Sequence, residues 1–290
     1  MNLTVISLAR PVRWDGLRAA WVRLGVALLV GLLVWPVLMH AIGAWASDDG
    51  LSFGFAAPAV AAFLVWWQRD LLRQTMAQGT TVGLLIVVGA LGALLLCERL
   101  AARSPAAWAV GLLLWGSAVY LWGWRAGRVL AFPIGFLAFA LGLQQTLIAP
   151  IAFDLQHITA IGAEGVSRTL GLAVVRDDLV LHSDQFSFVV AEACSGMSSL
   201  LALLGLTSLM IYLAPATPPG RVAVLLSVAP LVVVANITRV ALVLLFATWF
   251  GEEAALGFFH GASSLVLFGV ALGGLLVVCK LVGCRVWAAI

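Results

Sequence analysis

The sequence predicts an all-α integral membrane protein of about eight transmembrane helices, interrupted by one amphipathic helix and a small β-hairpin. Three observations carry that reading. Of 290 residues, 63% are hydrophobic and only 10% are charged, whereas globular domains run about 25% charged. The apolar residues gather into runs of about twenty, the length that crosses a bilayer. The basic residues alternate between rich and poor connections along the chain. A soluble domain of this length has nowhere to hide so much apolar surface. Nucleic acid is excluded as a partner, because no basic stripe interleaves with aromatics.

The N-terminus is basic and followed by an apolar stretch, as in a signal peptide. That stretch runs from Val22 to Trp45 without a small-residue cleavage site, so it reads as a retained first span. The spans fall at approximately 21–46, 54–68, 80–97, 105–124, 128–149, 194–214, 222–250 and 257–279, within a single polytopic domain, 1–290. The second is short and carries Pro58. No internal repeat of the inverted-transporter kind is present.

Charge orients the spans. With the N-terminus inside, the inner segments collect Arg10, Arg13, Arg18, Arg23, Arg69, Arg73, Arg125, Arg128, Arg221, Lys280 and Arg285. The outer loops keep only Arg99, Arg103, Arg168 and Arg176. Acidic residues do the reverse, with only Asp15 and Asp70 inside. Lys and Arg set orientation, so both termini are expected in the cytoplasm of a multi-pass protein.

The outer loop 150–193 is the longest connection. Its first half sets Asp154, His157, Glu164 and Arg168 near one face of a helix, and Ile151, Leu155, Ile158, Val166 and Leu170 near the other. That pattern predicts an amphipathic helix lying on the outer leaflet. Its second half, 179–190, alternates Leu179 and Leu181 against Val180 and His182, then Phe186 and Phe188 against Ser187. Ser183, Asp184 and Gln185 lie between the two runs, which predicts a β-hairpin. This platform leads directly into Cys194.

Three polar residues stand out against the apolar background: Cys194, Arg239 and His260. Cys194 begins the sixth span, where a helix N-terminus favours thiolate over thiol. Ser195, Gly196 and Met197 would offer backbone donors to an oxyanion, and Gly196 leaves room for a substrate backbone. Arg239 interrupts the run 231–250, where an arginine demands a polar partner. Asn236, one turn away on the same face, is a candidate companion. His260 opens the last span and suits a general base. A thiol, an imidazole and a guanidinium on one side of a membrane suit cysteine acyl transfer.

Blander readings stand beside these. Cys194 suits a buried apolar position or a disulfide with Cys97, Arg239 a structural ion pair with Glu192 or an outer-loop acid, and His260 an interfacial anchor. Glu192 fits equally as an orienting carboxylate and as a solvated rim charge. His157 and His182 are rival histidines, with His40 a weaker one. No pair shows metal-ligand spacing. Cys279 and Cys284 read as small apolar filler near a helix end, and Cys97 lies at an outer helix end.

Taken together, the motifs resemble the exosortase/archaeosortase family of membrane cysteine transpeptidases. The family's Ala-Cys-Ser-Gly at the start of a membrane helix matches AEACSGMSSL (191–200), and its Asn-x-x-Arg matches Asn236-Ile237-Thr238-Arg239. Its histidine before the final span matches His260, and Phe132-Pro133 within 128–141 resembles the span before the outer loop. The resemblance runs from about Asp48 to Val278. Phe53 stands where the family usually has histidine, and Met197-Ser198-Ser199 replaces its usual Leu-Arg-Ser. No soluble domain is expected beyond the last span.

The resemblance implies a bacterial inner-membrane cysteine peptidase or transpeptidase whose site faces the extracytoplasmic side. Cys194, Arg239 and His260 would be catalytic, supported by Glu192, Ser195, Gly196 and Asn236. Its substrates would be exported proteins with a C-terminal sorting signal: a short, often Pro-Glu-Pro-like motif, a transmembrane helix and a basic tail. An acceptor nucleophile or water would resolve the thioester. Lipid surrounds the protein, and no metal or organic cofactor is implied. Two alternatives remain: a transporter or channel using Arg239 for an anionic substrate, and a non-catalytic scaffold of a polysaccharide export system.

Overall fold

The computed structural model describes residues 16–47, 54–77, 79–143, 151–183, 186–190, 196–214, 217–251, 255 and 260–284. These residues are mostly helical. The chain divides into two compact units, Met1–Leu147 and Ile148–Ile290.

The first unit holds α1 (Gly16–Ser47), α2 (Ala57–Trp67), α3 (Arg69–Thr75), α4 (Thr81–Arg99) and α5 (Arg103–Ala138). A π-helical turn, Phe139–Leu143, extends α5. Apolar runs 105–124 and 128–149 were expected as two spans, and α5 is in fact broken at Gly123, whose φ of 84° and ψ of 171° are non-helical. The indole of Trp115 donates to the carbonyl of Gly127 at 2.7 Å. In a straight helix those residues would stand about 18 Å apart. The chain therefore folds back on itself at Gly123, a conformation that glycine adopts without penalty. Along α4, a Cβ on Gly83 would meet the Tyr120 backbone at 2.2 Å, so α4 and α5 touch almost backbone to backbone. The Trp45 indole donates to the carbonyl of Ala140 at 3.0 Å and fastens α1 to the end of the hairpin.

The second unit holds α6 (Ala152–Thr169), strands β1 (Val174–Asp177), β2 (Val180–Ser183) and β3 (Ser187–Val189), then α7 (Met197–Leu213), α8 (Pro218–Phe250) and α9 (His260–Leu281). The strands form an antiparallel sheet in the order β1-β2-β3. The expected hairpin is present as β2 and β3, with Leu181 opposite Phe188 and both buried. The sheet has a third strand that the sequence pattern did not announce. β1 pairs Val174 with Ser183 and Asp177 with Val180.

The expected amphipathic helix is present as α6. Of the five residues assigned to its apolar side, only Leu155 is buried, while Ile151, Ile158, Val166 and Leu170 are exposed. The buried face is a stripe of small residues: Thr159, Ala160, Ala163 and Ser167. Small side chains let α6 lie close against α8, and a Cβ on Gly162 would sit 2.4 Å from Cδ1 of Ile237. Part of its polar face is engaged by the sheet. Glu164 pairs with Arg168 at 3.0 Å and with Arg176 of β1 at 3.3 Å. His157 meets Asp178, in the β1–β2 turn, at 3.1 Å. The helix is clamped between the sheet and α8. A core of Ala160, Ala163, Val174, Leu181, Phe188 and Val190 then closes over Val240, Val243 and Leu244 of α8.

Among the described residues, four helical stretches are long and apolar enough to cross a membrane: Leu24–Ser47, Thr81–Arg99, Pro105–Leu141 and Pro218–Phe250. Gly54–Trp67, Met197–Leu213 and Phe268–Leu281 are shorter and also apolar. At the end of α9 the amide of Cys284 donates to the carbonyl of Cys279 at 2.9 Å, with Gly283 at φ 77° between them. This is a Schellman cap, in which the residues three before and two after the helix end make an apolar contact. Both thiols are free and buried, as apolar filler at a helix end should be.

Candidate active site

The centre of the site is a face of α8. Asn236 and Arg239 lie one turn apart, 5% and 8% exposed, and continue into buried Val240 and Val243. The sequence makes that face polar only here, between Val232 below and Val243 above. Asn236 donates from Nδ2 to the hydroxyl of Thr159 on α6 at 3.1 Å. Thr159 is itself 1% exposed.

On the other side of Asn236 stands Gly196. It caps α7 in a left-handed conformation, φ 80° and ψ 6°, and its carbonyl accepts from Leu200 at 2.9 Å. A Cβ there would approach Cγ of Asn236 at 3.0 Å and its Cβ at 3.1 Å. The space beside Gly196 was expected to admit a substrate backbone. The Asn236 carboxamide lies against the side of Gly196 where a Cβ would point. Asn236 is thus held between α6 and the turn that opens α7.

A small void of about 10 Å³ joins the three helices of this unit. Ser199 of α7, Asn236 and Arg239 of α8, and Phe268 and Ala271 of α9 line it. It has room for about one water molecule. Arg239 and Phe268 are therefore at one level. His260 is the first residue of α9, eight positions before Phe268. That is about 12 Å further along the helix axis.

Cys194, Ser195 and Glu192 lie outside the described residues, as does the His260 side chain. α7 begins at Met197, three residues after the expected helix start, with Gly196 as its cap. Among the rival histidines, His157 is paired with Asp178 and meets the Phe153 ring edge to face, centroids 4.7 Å apart. His182 shares a hydrogen bond of 2.9 Å with Ser187 across the sheet. His40 borders a separate cavity in the first unit, beside Cys97 and Glu98. No metal-binding cluster occurs among the described residues. The sequence reading missed Thr159. Its signal was the small-residue stripe on α6, which marks a packing face where larger residues suggested one.

The model of the transmembrane exosortase family matches residues 45–277, a stretch holding the Gly196 cap, Asn236, Arg239 and the start of α9. The chain belongs to the transmembrane exosortase family. No curated protein and no solved structure matches it. Family membership makes it a sorting-related membrane protein.

Proposed function

We propose that this exosortase-family member is a cysteine transpeptidase or endopeptidase that cleaves C-terminal sorting signals of exported proteins. The observation that carries the reading is the contact of Gly196 with Asn236, one turn from buried Arg239. Two peptide units separate Cys194 from Gly196, at most about 7 Å of chain. That short link supports a nucleophile within reach of the buried Asn236 and Arg239 of α8. His260 starts the neighbouring helix on the outward side of that patch.

The topology supports the same reading. From Pro218 to Arg239, α8 rises about 32 Å, close to the thickness of the bilayer core. Its remaining residues run beneath the sheet and α6. With Pro218 near the inner surface, Arg239 reaches the outer boundary of the lipid, where the penalty for a central arginine falls away. Eight crossings with both termini inside follow from the charge distribution, with α5 counted twice because of Gly123. The setting is a bacterial inner membrane and the site faces outward.

In the reaction, the Cys194 thiolate attacks the scissile carbonyl carbon. Arg239 stabilises the tetrahedral oxyanion. The C–N bond breaks, and protonated His260 gives its proton to the departing amine. The acceptor amine, hydroxyl or water then attacks the thioester and gives its proton to His260, the C–S bond breaks, and the Cys194 thiolate and protonated His260 are regenerated. The steps balance without a metal or organic cofactor. The substrate's transmembrane helix lies in the bilayer, with its motif at the outer surface and its basic tail inside.

Co-expression with a protein carrying a tripartite tail tests this. Wild type should remove the tail, and Cys194→Ala should not. Arg239→Lys should lose at least about 100-fold, since lysine lacks the planar fork. A transporter using Arg239 predicts near-neutral Cys194→Ser, and a scaffold predicts tolerance of all three substitutions. Equal processing by wild type and Cys194→Ala would sink the proposal.

A further inference from the structure

Thr159 belongs to α6, an element of the outer platform, yet its hydroxyl ends on Asn236 inside the candidate site. Both side chains are almost wholly buried. Asn236 in turn is the surface on which Gly196 rests, two residues after Cys194. A carboxamide turns about its last torsion unless both ends are engaged, because that torsion has broad wells. Only a short side chain on a closely packed helix can reach it. Gly162, against Ile237, creates that closeness. Serine or threonine fits position 159, and a larger residue would drive the helices apart.

We infer that Thr159 is a positioning residue: its hydroxyl sets the Asn236 carboxamide, and through it the Gly196 turn that opens α7, two residues after Cys194. This rests on the acyl-transfer reading above. It makes α6 part of the catalytic apparatus, where its sequence suggests a surface anchor. Gly162 contributes by setting the spacing. The role differs from packing, because valine matches threonine in shape and lacks only the hydroxyl.

The test compares Thr159→Val, Thr159→Ser and Gly162→Ala in the full-length protein, with Cys194→Ala as control. Two readouts are taken: kcat and KM for a tailed substrate, and the pH dependence of Cys194 alkylation by iodoacetamide, followed by peptide mass. The second needs no substrate. Loss of a hydrogen bond to a buried amide predicts that Thr159→Val lowers kcat by about 10-fold or more. KM should stay within about 2-fold, and the alkylation midpoint should move to higher pH. Thr159→Ser should restore both, and Gly162→Ala should resemble Thr159→Val. In an Asn236→Ala background, Thr159→Val should not shift the alkylation midpoint further, because the two act as one unit. A Cys194-dependent activity and midpoint untouched by Thr159→Val would overturn this inference alone. So would equal losses in valine and serine variants, which would assign Thr159 to packing. Processing that survives Cys194→Ala would instead bring down the underlying reading.

Discussion

Gly196 concentrates several constraints in one residue. Its left-handed backbone, with φ at 80°, costs a side-chain-bearing residue about 1–2 kcal/mol. The Asn236 carboxamide stands only 3.0 Å from where a Cβ would go. Gly196→Ala should therefore destabilise the protein by roughly 1–2 kcal/mol and displace Asn236, with a large loss of tail processing. Thermal unfolding in detergent alongside the processing assay checks both, and an active, stable alanine variant would contradict the geometry. Arg239 and Asn236 were legible in the sequence because polar side chains in an apolar run announce themselves. Thr159 was not, since threonine is unremarkable in an amphipathic helix and its partner lies 77 residues away.

At the scale of elements, the platform is held by side chains that span it. Glu164 accepts from the backbone amide of Arg176 at 3.3 Å as well as pairing with both arginines. Arg168 donates from Nε to the carbonyl of Val174 at 3.1 Å. Together they cover the outer edge of β1, where unpaired backbone groups would otherwise remain. Glu164→Ala should uncover that edge. Amide hydrogen exchange in 174–183 should then quicken while the middle of α8 stays protected; unchanged exchange would mean the sheet holds without Glu164. The β2–β3 hairpin was readable from strict alternation of large apolar residues. β1 was not, because Val174-Val175-Arg176-Asp177 has too short a pattern and its pairing depends on β2. The small-residue face of α6 was not legible for a related reason. Large apolar residues suggest a packing face in water, but a membrane protein can turn them toward lipid and pack through its small residues.

At the scale of the whole molecule, the apolar runs announced the long helices, while the arginine asymmetry bears on their orientation. Gly123 shows where sequence reading placed a boundary to within a few residues, because two long apolar stretches cannot continue as one span. The proposed topology predicts that His182→Cys reacts with a membrane-impermeant maleimide on intact cells. Arg73→Cys should react only after permeabilisation, in a background without other accessible cysteines. The reverse pattern would invert the orientation and move the site to the cytoplasm.

The central claim is that Cys194 forms an acyl-enzyme with a sorting signal. Intact mass spectrometry of the protein after brief incubation with a tailed substrate addresses it directly. The account predicts an adduct equal to the substrate minus its tail, located on Cys194, released by hydroxylamine and missing in Cys194→Ala. Substrate cleavage at the same rate in Cys194→Ala, with no adduct in wild type, would contradict it.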